Sequence, residues 1–294
     1  MAMYKIAILG CENSHADGFL KYIKNDKRFS DVEVLGVYSE YEGAGEKLSD
    51  EYGVYIMKSC DELVGKLDGV MVTARHGGKH FEYIKPYIKD GIPVFMDKPI
   101  TIKVDEAIAM MQEFEKNNVR YTGGSSLRYC ELVKKLKEEA RQEKGGKTIG
   151  GVIRTPIHEH SEYGGFYFYA EHLVEILCEV FGCFPKKVRA SRSNNGLTVV
   201  FSYEGYDVTG YYMEGNYSYF ATRMAEEGNT AGDIIVDEAC FSEEFEHFHN
   251  LLDGGNTAID KKTFIAPVFI MNATMQSLNS GAEVEISWER INEI

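Results

Sequence analysis

The residue placed most suggestively for chemistry is Lys98, in the run Ile92-Pro93-Val94-Phe95-Met96-Asp97-Lys98-Pro99. The apolar stretch reads as a buried strand. If that strand is parallel to its neighbours, its carboxyl end is where ligands gather in an open α/β sheet. Pro99 stiffens the turn and Asp97 can orient the lysine. An ammonium held beside an apolar ring has its charged form disfavoured, which suits a proton carrier. His158 and His160 alternate on a presumed strand, so both side chains face one way. With Glu159 or a third histidine they have the makings of a metal site. Polar lining of a sugar pocket is the preferred reading, and no metal is assigned.

A second constellation is the turn Gly10-Cys11-Glu12-Asn13-Ser14-His15, after the apolar run 4–9. A dinucleotide turn asks for three glycines: one for the tight bend, one for approach of the pyrophosphate, and one for helix–strand packing. Only Gly10 is present. Glu12 stands in the second place and His15 in the third. The helix that Asn13 or Ser14 caps still offers backbone N–H groups and a partial positive charge. At the end of the second strand, where an acidic residue grips the ribose, the chain has Tyr38-Ser39-Glu40. Ser39 leaves room for a 2′-phosphate and Glu40 repels one, so NAD and NADP both stay open. His15, Arg75 and His76 fall on loops at the cofactor edge, where Arg75 can replace lost phosphate contacts.

These residues need a scaffold. Over the first 120 residues or so, short apolar runs (4–9, 32–38, 67–73, 92–96 and 120–122) alternate with helical patterns (from 13–14 onward, then 44–52, 80–89 and 104–118). That alternation predicts βαβ units, right-handed crossovers and a doubly wound parallel sheet of Rossmann type. Beyond it the period changes. A helix is expected at 127–142. Apolar–polar alternation marks strands at 152–157, 187–192, 197–203 and 206–213, with turns at Asn194-Asn195-Gly196 and Glu204-Gly205. Further helices are expected at 166–182, 241–253 and 263–280. The fold class is thus α/β, with a Rossmann domain at 1–122 and an α+β domain at 123–294 whose sheet is largely antiparallel.

Composition bounds the function. The chain has 294 residues, 44% of them hydrophobic, and 32 basic against 46 acidic residues give a net charge of −14. So acidic a chain lacks the electrostatic footprint of a nucleic-acid or anionic-membrane binder. No apolar run is long enough to span a bilayer, and the N-terminus does not read as a signal peptide. The six cysteines are scattered, without a CxxC pair, as expected for reduced, buried thiols in a cytoplasmic protein. His247 and His249, on an amphipathic helical pattern, are expected to be solvated, and the 264–275 stretch to be core.

Several of these segments together resemble the glucose–fructose oxidoreductase/inositol dehydrogenase (Gfo/Idh/MocA) family. Asp97-Lys98-Pro99 is similar to that family's Glu-Lys-Pro motif, and Thr73-Ala74-Arg75 with His80 to its Thr-Pro-Asn…His loop. Gly124…Arg128-Tyr129 resembles its Gly-x-x-x-Arg-Phe segment. His172-Leu173-Val174-Glu175, followed by Phe181-Gly182 and Val188-Arg189-Ala190, resembles its His-x-x-Asp helix and the strand beyond. Ser277…Gly281-Ala282-Glu283-Val284 resembles its closing tail.

The resemblance implies NAD- or NADP-dependent hydride transfer at a sugar, polyol or related hydroxyl. It implies Lys98 as the catalytic lysine and His172 as its assistant, with substrate between the domains. Gly10, Glu12, Asn13, Ser14, His15, Ser39, Glu40, Thr73, Arg75, His80, Asp97 and Lys98 then face the cofactor. Lys98, Arg128, His158, His160 and His172 face the substrate. The second domain's sheet is implied as the contact of a homo-oligomer, a dimer or tetramer. The chain departs from the pattern at Phe168, where many sugar dehydrogenases of the family carry an aspartate, and at Ala170 and Glu175. Two other functions are compatible with those departures: a ligand-binding regulatory protein on the same scaffold, and a glycoside-cleaving enzyme that recycles its NAD.

Overall fold

The computed structural model describes residues 3–294. The chain divides into two compact units. The first comprises the chain up to Thr101, Asp105–Gly124 and Phe241–Asp260; the second comprises Ile102–Val104, Ser125–Cys240 and Lys261–Ile294.

In the first unit β1 (Tyr4–Leu9), α1 (Ser14–Asn25), β2 (Val32–Tyr38), α2 (Glu46–Tyr52), β3 (Gly69–Val72), α3 (His80–Ile84), β4 (Val94–Asp97), α4 (Val104–Lys116) and β5 (Tyr121–Gly124) follow one another. The five strands form one parallel sheet in the order β2-β1-β3-β4-β5. Because β1 lies between β2 on one side and β3 on the other, the chain reverses its direction of travel across the sheet at β1. The carboxyl ends of β1 and β3 therefore flank the crevice where α/β sheets bind ligands. β1, β3 and β4 are almost wholly buried, which is why they read as continuous apolar runs rather than alternations. The helix expected over 80–89 is split. After α3 a 3-10 turn takes over at Lys85–Asp90, with Pro86 in its first positions, because proline cannot donate the next helical hydrogen bond.

A single cut near residue 122 does not describe the units. Residues 241–260 return to the first one, where Phe245, Phe248 and Leu252 join the core of Phe19, Phe29 and Phe95. Their spacing puts one apolar face against the sheet. Gly69 makes that approach possible, since a Cβ there would lie 2.6 Å from the Leu252 side chain. His249 travels with this helix. It is not solvated as expected: its Nε2 lies 2.9 Å from Asp31 and its ring stands edge-on to Tyr4 and Phe29.

The second unit contains α5 (Glu131–Arg141), β6 (Thr148–Pro156), α6 (Tyr167–Phe181), β7 (Lys187–Ser193), β8 (Gly196–Ser202), β9 (Asp207–Met213), β10 (Tyr219–Ala225), β11 (Gly228–Ile234), the start of α7 (Glu238–Leu252), α8 (Lys261–Ser280) and β12 (Val284–Glu285). Its seven-stranded sheet runs β11-β10-β6-β9-β8-β7-β12. All neighbours are antiparallel except the central pair β6–β9. Leu197, Val199 and Phe201 on β8 and Val208 and Tyr212 on β9 are buried, and the residues between them are more exposed. One face is therefore covered: Tyr212 donates to Ala170 O on α6 (3.0 Å), and Ser277 on α8 accepts from Ala190 N on β7 (2.9 Å). The β10–β11 hairpin was not expected. Among the described residues no helix is long and apolar enough to cross a membrane. Five of the six thiols are buried; Cys60 is half-buried.

Candidate active site

Gly10 opens the site because of where it must bend. Its φ is +87°, and a Cβ would lie 2.2 Å from the backbone of Ala74, so a side chain is both strained and excluded. The N–H groups of Gly10 and Cys11 both donate to Tyr38 O, at 2.7 and 2.9 Å. Thr73 Oγ1 donates to Gly10 O at 3.0 Å. The first turn is thereby tied to the ends of both neighbouring strands. Asn13 then caps α1 by accepting from His15 N, and the helix presents its amino end to the same crevice.

The centre of this unit's site is Asp97, which is fully buried. Its Oδ2 accepts from Asn13 Nδ2 at 3.0 Å and lies 2.7 Å from His15 Nδ1. Its Oδ1 accepts from Lys98 N at 2.7 Å. Burial pushes this carboxyl up, but His15, the Lys98 ammonium and the Lys98 N–H outweigh it and hold the group below the ordinary aspartate value. Asp97 is therefore a fixed negative charge that connects the α1 turn to the lysine. Lys98 itself is only 5% exposed, within a buried turn.

Glu12 is half-buried and each oxygen of its carboxylate has a donor: Oε1 accepts from Arg75 N at 2.9 Å and Oε2 from Ser39 Oγ at 2.7 Å. Glu40 reaches Lys79 at 3.1 Å. A cleft of about 480 Å³ runs past these loops, with Glu12, Asn13, Ser14, Lys47 and Arg75 among its walls. His80 is a strut. Fully buried, it meets Ala74 O through Nε2 at 2.7 Å, and burial lowers its pKa, so the ring is neutral.

In the second unit His172 lies on α6, 6% exposed, edge-on to Tyr169 and Tyr219. Its Nδ1 is 2.7 Å from Ser125 Oγ. Ser125 Oγ also accepts from Leu127 N at 3.2 Å, and its remaining proton and lone pair let it either donate to Nδ1 or accept from it. Arg128 lies in a buried ion cluster, 2.9 Å from Glu175 Oε2 and 2.9 Å from Glu179 Oε1. His158 Nε2 meets Tyr217 OH at 3.0 Å, and its ring packs with Phe168 and Tyr169. A cleft of about 670 Å³ has His158, the exposed His160, Phe168 and Arg192 on its walls.

Residues 4–125 match the family described as "Oxidoreductase family, NAD-binding Rossmann fold", GFO_IDH_MocA. Over this segment the chain is similar to that family. Glucose-6-phosphate 3-dehydrogenase of Bacillus subtilis (strain 168) is 30% identical over 159 residues, which is 53% of this chain and 42% of that protein. The chain thus aligns with less than half the length of that relative. In fold it is similar to scyllo-inositol dehydrogenase from Lactobacillus casei with bound NAD(H) and scyllo-inositol (TM-score 0.84, 15% identity, covering 97% of this chain and 99% of that one). It is likewise similar to myo-inositol 2-dehydrogenase from Lactobacillus plantarum (TM-score 0.84, 16% identity, 97% and 100%).

In the first unit the Gly10 turn is open, Asn13 caps the amino end of α1, and Lys47 and Arg75 stand on the cleft wall. Of the residues expected there, Asn13, His15 and Asp97 form one network, while Glu12, Ser39 and the Arg75 backbone form another. Thr73 and His80 brace loops instead, through Gly10 O and Ala74 O. Arg128, expected on substrate, has its guanidinium between two glutamates, because a buried cation needs paired charge. Ser125 was missed. A serine directly after a parallel strand's carboxyl end was the available signal.

Proposed function

We propose that the protein is an NAD(P)-dependent oxidoreductase that moves a hydride to or from the hydroxyl-bearing carbon of a sugar, polyol or related compound. The observation that carries this is Lys98, buried at the end of β4 beside an ionised Asp97 that is itself tied to the α1 turn. The sugar and inositol dehydrogenases to which the chain is similar support the substrate class. When bound, the nicotinamide supplies the hydride donor or acceptor. The α1 amino end and Arg75, with Lys47 at the cleft wall, would hold the coenzyme's diphosphate. Lys98 takes the hydroxyl proton in oxidation and returns it in reduction. Asp97 stays ionised throughout and keeps the lysine backbone in place. His172, held through Nδ1 by Ser125, hydrogen-bonds a substrate oxygen through Nε2. His158 and His160 line the sugar-facing cleft. On the same reading the protein is a homo-oligomer built on the open face of the second unit's sheet.

The test is reduction of NAD or NADP by a panel of inositols, sugars and sugar phosphates. Lys98→Ala and His172→Ala are each expected to lower kcat by about 10²–10⁴. Unchanged turnover in both variants sinks the mechanism. Ligand binding without any turnover would favour the regulatory role. Sugar release from an aryl glycoside without net reduction of NAD would favour glycoside cleavage.

A further inference from the structure

A Rossmann site usually reads the adenosine ribose with an acidic residue at the end of its second strand. Here β2 ends at Tyr38, and the next residue is Ser39. Glu40, the acid one step further on, is exposed and paired with Lys79. The carboxylate beside Ser39 belongs to the first turn instead: Glu12 Oε2 lies 2.7 Å from Ser39 Oγ, and Oε1 is anchored by Arg75 N at 2.9 Å. We infer that Glu12 is the ribose-reading residue of this protein and makes it select NAD(H) over NADP(H). This rests on the dinucleotide-dependent reading above.

The hydrogen-bond inventory supports it. A carboxylate offers about four lone-pair sites. Ser39 and Arg75 occupy two, one on each oxygen, leaving room for the two hydroxyls of a ribose diol. Ser39 is not a free donor for a 2′-phosphate, because its single proton goes to Glu12 while its oxygen accepts from Tyr41 N at 3.1 Å. Ser39 is thus a positioning residue. The cleft wall nearby carries Glu12, Asp17 and Glu42 against Lys47 and Arg75, and Lys47 already pairs with Asp17 at 2.8 Å. A 2′-phosphate would bring about two further negative charges into that setting. The same geometry explains how glutamate is tolerated in the place of the second glycine: two donors outside the α1 amino end hold its carboxylate.

Calorimetric titration of the whole protein with NADH and with NADPH tests this without relying on turnover. The unmodified protein should bind NADH at least about tenfold more tightly than NADPH, the scale of one charge-assisted hydrogen bond pair. Glu12→Gln keeps the side-chain shape. It should weaken NADH binding about tenfold and bring the two affinities to within about threefold. Ser39→Ala, which leaves the carboxylate but removes its guide, should fall between the two, and matched melting curves confirm folding. A preference for NADPH, or equal loss of both coenzymes in Glu12→Gln, overturns the inference and leaves the redox reading standing. So does binding that appears or tightens only when Glu12 is neutralised, since the residue would then be a plug. If no variant binds either coenzyme, the redox reading itself falls, and the inference with it.

Discussion

A single hydroxyl holds His172 by its Nδ1. Ser125 Oγ takes the Leu127 N–H and shares a 2.7 Å hydrogen bond with Nδ1, which leaves Nε2 as the ring's outward nitrogen on the proposed reading. Ser125→Ala should therefore act as a positioning change. We expect kcat to fall about 10–100-fold with KM little altered, and the pH–rate profile to shift as Nδ1 loses its partner. The cost in stability should be about 1–3 kcal/mol, since a buried Nδ1 loses its partner. An unmoved pH profile would mean that the serine merely caps its turn. His172 could be picked out from its motif; Ser125 had only its place after a strand end, and its pairing with His172 could not be read. The two are far apart in the sequence, and a pairing depends on a contact.

At the level of elements, α6 is bound to α5 and to the Ser126–Tyr129 turn through charge. Arg128 lies between Glu175 and Glu179, and Lys137 pairs with Glu179 at 2.6 Å. Burial pushes the Glu175 carboxyl up to about 7, aided by Glu179 and opposed by Arg128. Between its ordinary value of 4.5 and about 7, the folded state keeps a proton that the unfolded chain has released. Stability should therefore decline as pH rises through that window and level off above it, by up to about 3 kcal/mol at about 1.4 kcal/mol per unit. Denaturant midpoints measured from pH 4 to 8 would show the slope, and Glu175→Gln should flatten it. A slope that survives the substitution assigns the titration to another group. The β10–β11 hairpin escaped the sequence reading for a related reason. Arg223 is buried on β10 and bonds Thr148, Lys144 O and Gly146 O, so a charge breaks the alternation that marks a strand. β11 (GNTAGDI) is built largely of residues with poor strand preference.

For the molecule as a whole, the second unit's sheet has one helix-covered face and one that is not. On the uncovered face Thr198 stands opposite Tyr211, and Val200 opposite Thr209. Tyr211 is 39% exposed. Light scattering at micromolar concentration should give a multiple of the 33.2 kDa chain mass, and Val200→Lys should move it toward the single-chain value. A monomer in the unmodified protein removes the oligomer proposal. The two architectures, the parallel sheet and the position of Lys98 at a strand tip were all readable in advance. Each follows from local period and composition: buried parallel strands must be continuously apolar, and half-covered strands must alternate. Tertiary structure alone decided that 241–260 packs with the first unit, that Glu12 reaches Ser39 and that Arg128 is held by glutamates. An amphipathic helix does not say which core it covers, and a charged side chain does not say which partner will neutralise it. Both are settled only when segments distant in sequence compete for the same buried space.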